Sequence, residues 1–284
     1  MNKIVGQKKI INWVDNLTVD SFPHFIVLIG AKGSGKRTIA KYIADKLSAV
    51  YVECDIKVDA VRNAITLAST VETPIVYCFA NSDTMRAEAK NAMLKITEEP
   101  PKNAYFIFTV VDESTLLETI KSRATVIRLE PYSGDELYEF LKNITSDKDF
   151  AYGSDAEDST NCIWMNCIWG IASTPYELKE FLNYGSEFFV YVDLVKDNIS
   201  EVEAANAFKS GSKLALHGED DKYDLGLFWK AFIHDCLNCI DEDPLHYAEG
   251  IIVTDKYYKK QAQLGVNLQQ LYDSWVFEIR GVWR

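Results

Sequence analysis

At 284 residues, 48% of them apolar and 25% charged, the chain is long enough for two or three domains with buried cores. No apolar run approaches the ~20 residues that span a bilayer, and Met1-Asn2-Lys3-Ile4 does not read as a signal peptide, so a cytoplasmic protein with no membrane partner is expected. The net charge of −12 is uneven: residues 1–130 hold 17 Lys/Arg against 15 Asp/Glu, and residues 131–284 hold 13 against 27. An acidic second half repels phosphate, which excludes a broad nucleic-acid grip there and leaves any such contact to basic spots in the first half or to other chains.

In chain order, Phe25–Ile29 is a short apolar run that ends in a glycine-rich turn, and Arg37–Leu47 follows with helical periodicity. Ala49–Val52, Pro74–Phe79, Tyr105–Val111 and Thr125–Leu129 read as further buried strands separated by helices. That alternation predicts a parallel sheet covered on both faces. After Pro131 aromatic-rich helical stretches take over, broken by the Gly/Ser/Asp-rich loop Ala151–Thr160. Ser133 and Glu136 have capping-box spacing ahead of a helix over Asp135–Leu141, and Thr174-Pro175 opens another helix. From Phe188 onward the reading is almost wholly helical. The aromatic residues of this half, Trp164, Trp169, Phe188, Phe189, Phe228, Trp229, Trp275 and Trp283, are spaced as helix faces and are read as core or intersubunit packing, not as base-stacking platforms.

Gly30-Ala31-Lys32-Gly33-Ser34-Gly35-Lys36 fits G-x-x-x-x-G-K between a strand and a helix. In that context Gly30, Gly33 and Gly35 let backbone N–H groups wrap a phosphate, the helix N-terminus adds partial positive charge, and Lys36 adds a full one. The next position calls for Ser or Thr, whose hydroxyl ligates Mg²⁺. Here it is Arg37, and Thr38 comes one step late, turned by ~100° on a helix. ATP or ADP can be held; Mg²⁺ would be held poorly. The strand over Ile75–Phe79 ends in Ala80-Asn81-Ser82-Asp83, where an ATPase needs an acid pair. Alanine cannot ligate metal, asparagine cannot take a proton from water, and Asp83 is read as a cap for a helix over Met85–Ile96. No metal site is expected. Of the six cysteines, Cys236 and Cys239 sit three apart on a helix, far from Cys162 and Cys167, so packing is favoured over zinc.

Five blocks in order carry a family resemblance. Ala89-Lys90-Asn91-Ala92 and Met93-Leu94-Lys95-Ile96-Thr97-Glu98-Glu99-Pro100-Pro101 closely resemble the N-A-L-L-K-x-L-E-E-P-P stretch of clamp-loader AAA+ subunits. Leu116–Ala124 resembles their L-L-x-T-I-x-S-R-C box, Ile4-Val5-Gly6-Gln7 their I-x-G-Q opening, and Val58–Arg62 the segment between their two ATPase motifs. The phosphate loop completes the set. Val195–Ile199, Ala205–Lys209 and Lys213–Ala215 look like a collar helix pair of the same family.

The resemblance implies an AAA+ P-loop (RecA-like) α/β domain over 1–130, a helical lid over 131–184 and a helical collar over 185–284. The losses at Arg37, Ala80 and Asn81, and at a sensor position aligned with Val110 or Val111 with Thr109 one residue off, resemble the delta-prime type of subunit, whose own ATPase is impaired. The four-cysteine zinc module common in bacterial delta-prime proteins is absent, only Cys54 standing near, which suggests a shortened or divergent member. The family implies that Arg123, with Ser122, reaches a neighbour's ATP as an arginine finger, and that Gly30, Gly33, Gly35, Lys36, Arg37, Thr38 and Val5 line the nucleotide site. Its implied partners are other clamp-loader subunits in a hetero-oligomeric ring, the sliding clamp, and primer-template DNA through the assembly. Two other readings stay open: an active gamma-like ATPase using Thr38 and Asp83, and a nonreplicative scaffold.

Overall fold

The computed structural model describes residues 4–144, 167–198, 224–261 and 266–283. Cys162, Trp164, the loop Ala151–Thr160 and the collar-like stretch from Ile199 to Ala215 lie outside the described residues. The chain divides into two compact units, 1–150 with Ser173–Tyr176, and 151–172 with Glu177–Arg284.

The first unit is a five-stranded parallel sheet in the order β2-β3-β4-β1-β5, with β1 Phe25–Ile29, β2 Val50–Cys54, β3 Ile75–Phe79, β4 Ala104–Val110 and β5 Thr125–Arg128. Its helices are α1 Lys8–Asn16, α2 Lys36–Lys46, α3 Val58–Ala68, α4 Ala87–Glu98, α5 Glu118–Lys121 and α6 Gly134–Ile144. The strands read as unbroken apolar runs because both faces are covered. Phe25, Val27, Ile29, Tyr77, Phe79, Phe106, Phe108 and Val110 face one core with Val61, Met93 and Ile120 of α3, α4 and α5. Ile26, Leu28, Val76, Cys78, Tyr105 and Ile107 face the other with α1 and α2. β2 departs from the expected buried strand. It lies at the sheet edge with Val50 exposed, and the outward Glu53 carboxylate pairs with Arg37 at 3.2 Å.

Ser133 caps α6 as expected: its hydroxyl accepts from the Glu136 N–H at 3.3 Å, and the Glu136 carboxylate accepts from the Ser133 N–H at 3.0 Å. Removing such a cap costs about 1 kcal/mol.

The second unit is helical. α7 spans Pro175–Asn198, its first two residues, Pro175 and Tyr176, belonging to the first unit, and is broken at Gly185 (φ 66°, ψ −165°), backbone space open essentially to glycine alone. α8 Leu225–Asn238, α9 Pro244–Lys260 and α10 Leu268–Val282 follow. Their core is aromatic, with Phe228, Trp229, Phe232, Tyr272, Trp275 and Trp283 all buried and Phe232 edge-on to Trp275 at 5.2 Å. Among the described residues no helix is long and apolar enough to cross a membrane.

Cys54, Cys78, Cys167, Cys236 and Cys239 are free thiols, and no group of three or more His, Cys, Asp or Glu among the described residues is placed to hold a metal. Burial pushes the Cys236 thiol up to about 12 and raises that of Cys78. At pH 8 a thiol with that pKa is ionised to roughly one part in 10⁴, so Cys236 is expected to resist iodoacetamide in the native protein and to react once unfolded. Native labelling of Cys236 at the rate of a free thiol, read by mass spectrometry, would contradict this.

Candidate functional site

In open α/β sheets ligands bind outside the carboxyl ends of the strands. There the end of β1 runs into Gly30–Gly35, with Gly33 at φ 77° and Gly35 at φ 95°, and α2 begins at Lys36. This backbone is reachable at low cost only by glycine; a loop of this kind before a helix N-terminus can offer N–H groups to a phosphate, and here the Ser34 N–H donates to Ala31 O at 3.2 Å. Lys36 is buried within the loop, and its Nζ donates to Gly30 O at 2.6 Å and Ala31 O at 2.9 Å. Burial lowers the Lys36 pKa; Asp83 works against that shift and Arg37 adds to it.

Two tyrosines absent from the sequence expectations close over this loop. Tyr132 donates its hydroxyl to Ser34 O at 3.2 Å. Its ring lies so near Gly6 that a methyl group there would come within 2.6 Å of it. Gln7 anchors the segment: its carboxamide donates to Glu130 O at 2.7 Å and accepts from the Glu130 N–H at 3.1 Å, extending the end of β5 as a strand would. Tyr132 N–H then bonds Ser173 O at 3.1 Å, and this ties in the segment that carries Tyr176. Tyr176 packs on Gly33 so closely that a methyl group there would overlap its Cβ. Lys32 places its ammonium 4.4 Å from the Tyr176 ring centre and donates to its hydroxyl at 2.9 Å.

The magnesium side of the site does not fit a metal. Arg37 is turned to Glu53, and Thr38 is exposed. Ala80 offers no oxygen. Asp83 is not the cap of the following helix. α4 starts later, at Ala87, with Arg86 in the cap position and no side-chain bond. Asp83 Oδ1 instead accepts from the N–H groups of Val111 at 2.8 Å and Asp112 at 3.1 Å, holding the loop after β4. Lys90 secures the same loop by donating to Thr115 O at 2.7 Å. Val110 faces the opposite core and Val111 is exposed, whereas the buried Thr109 hydroxyl accepts from the Asn81 N–H at 3.1 Å. By strand alternation Thr109 shares a face with Ile107 and Tyr105, and that face looks toward α2.

Val5 is buried at the start of the same segment. Ser122 and Arg123 stand elsewhere. Ser122 follows α5 and donates to Thr119 O at 3.1 Å. Arg123 donates Nε to Glu98 Oε1 at 3.0 Å, adds a second bond from Nη2 to the same oxygen, and gives Nη1 to Thr119 O at 2.9 Å; its side chain stays 32% exposed. In register Thr125 is level with Ile26 and Arg128 with Ile29. Arg123 therefore precedes the strands that Gly30 follows. The two sit at opposite ends of the sheet, roughly 15–20 Å apart along the strands, beyond the reach of one side chain.

Residues 52–133 match the family described as DNA polymerase III, delta subunit. The chain is 28% identical over 176 residues to the DNA polymerase III subunit gamma of Buchnera aphidicola (Schizaphis graminum), covering 50% of this chain and 48% of that one. It is 23% identical over 173 residues to a replication factor C small subunit of Haloarcula marismortui, covering 56% and 53%. The chain thus spans about half the length of the curated relatives it matches. A DNA polymerase III gamma subunit-related protein from Thermotoga maritima shares the fold, with a TM-score of 0.54 at 14% identity over 97% of this chain and 99% of that one. The fold is the expected parallel α/β sheet domain followed by helices, and over about half of its length the chain is similar to DNA polymerase III gamma and replication factor C small subunits.

Proposed function

We propose that the chain is a delta-prime-like clamp-loader subunit, impaired as an ATPase, which lends Arg123 to the ATP of an adjoining subunit during sliding-clamp loading. The observation that carries this reading is the separation of Arg123 from the chain's own phosphate loop by the length of the sheet. A guanidinium so placed, partly exposed at the end of a short helix, can stabilise a γ-phosphate only in another molecule. Support comes also from the acid-free turn Ala80-Asn81 and from the commitment of Asp83 to the β4 loop. The reading carries with it a lid over 131–184, a collar over 185–284 that joins other loader subunits, and contact with the clamp and primer-template DNA through the whole ring in the cytoplasm. ATP or ADP would be taken without a firmly held Mg²⁺.

The purified chain is expected to hydrolyse ATP no faster than its Lys36→Ala variant in a Mg²⁺-dependent assay. Turnover at the pace of an ordinary loader ATPase, abolished by Lys36→Ala, would instead favour the gamma-like reading with Thr38 or Asp83 as ligands.

A further inference from the structure

We infer that Tyr176 is an intramolecular latch on the phosphate loop, so that a nucleotide's phosphates and Tyr176 compete for Gly33–Lys36. The inference rests on reading Gly30–Lys36 as a phosphate loop and is independent of any role for Arg123.

Three observations converge on one loop. The ammonium of Lys36, the group meant for phosphate, is spent on the Gly30 and Ala31 carbonyls and buried. The tip of the loop is covered, since Tyr176 lies in direct contact with Gly33 and its ring and hydroxyl both engage Lys32, a second cation of the loop. The latch is also held from behind, because Ser173 O accepts from the Tyr132 N–H while the Tyr132 hydroxyl bonds Ser34 O. Gly33 is the contact point, so the absence of a side chain there serves Tyr176 as much as it serves an anion. A phosphate drawing on the N–H groups of Gly33–Lys36 must pull Lys36 away from the carbonyls and Lys32 away from the tyrosine. Tyr176 thereby lowers the apparent affinity by the fraction of time it is seated.

The test is ADP binding to the full chain, with EDTA present, by titration calorimetry. Tyr176→Ala is expected to bind ADP about tenfold or more tightly than the unaltered chain, and Tyr176→Phe, which keeps the ring but not the bond to Lys32, to gain less. Adding Lys36→Ala to Tyr176→Ala should remove the gain. Hydrogen exchange at Gly33–Gly35 should quicken in Tyr176→Ala without ligand. If that variant does not fold, Tyr176→Leu takes its place. Equal or weaker binding by Tyr176→Ala overturns the latch, as does a gain that survives Lys36→Ala. Absence of ADP binding in every variant overturns both the latch and the phosphate-loop reading, while leaving the role of Arg123 to its own test.

Discussion

Arg123→Ala, in a loader assembled with its native partner subunits, is expected to slow ATP turnover by the adjoining subunit by about 10³-fold. On the proposed finger role the effect should be large, because the arginine would meet charge that develops in phosphoryl transfer, where water is excluded and a guanidinium is worth far more than in solution. Stability should hardly change. Arg123 is paired with Glu98 at the surface, the two side chains 32% and 52% exposed, and such pairs contribute less than about 1 kcal/mol. The purified variant should therefore unfold at the same denaturant concentration as the parent. Arg123→Lys, which keeps the charge but loses the planar fork, should restore only part of the rate. Turnover within about twofold of the parent, at saturating clamp and DNA, would remove the finger role.

The second large effect is expected in the helical unit. Trp275 is fully buried among Phe228, Trp229, Phe232 and Tyr272, with ring centres 5.2 to 6.1 Å away. Its indole N–H donates to the equally buried Thr254 hydroxyl at 3.0 Å, which joins α10 to α9. Trp275→Ala opens a cavity the size of an indole and deprives Thr254 of its donor. Loss of a buried tryptophan costs about 3–5 kcal/mol, and the orphaned hydroxyl adds about 1 kcal/mol or more. Urea unfolding followed by near-ultraviolet circular dichroism should show the helical unit failing well before the parent. Trp275→Phe, which keeps most of the ring but not the N–H, should lose less. A loss below about 1 kcal/mol for the alanine variant would mean that the aromatic cluster does not hold the unit together.

The sheet is legible in the sequence because its strands are uninterrupted apolar runs bounded by turns, and a run such as Phe25–Ile29 has few other folds available. β2 is legible as a strand but not as an edge. Edge position is decided by which crossover goes where, and only Glu53 at the end of the run hints at solvent. The phosphate loop is legible from glycine spacing, and the capping box at Ser133 from its two polar residues. Asp83 reads wrongly as a cap because cap preference is local, whereas its partners Val111 and Asp112 lie 28 and 29 residues away across β4. Tyr132 and Tyr176 are invisible for the same reason. Nothing in the neighbourhood of either says that it will meet Gly6 or Gly33, and tyrosines in a helical half rich in aromatics pass for packing.

On the reading of the chain as an impaired ATPase, the turn after β3 constrains what a substitution there can build. Asn81 stands at φ 56°, ψ 44°, a left-handed conformation that asparagine tolerates and glutamate does not favour. Installing an acid pair through Ala80→Asp and Asn81→Glu would place the new carboxylate at position 81 on a backbone twisted the wrong way, at a penalty of about 1–2 kcal/mol. The carboxylate nearest at hand, Asp83, is already tethered to the neighbouring loop. On the proposed reading of an impaired ATPase, building hydrolysis here would thus require re-routing the turn itself, and two exchanged side chains alone would leave a site with the right letters and the wrong geometry.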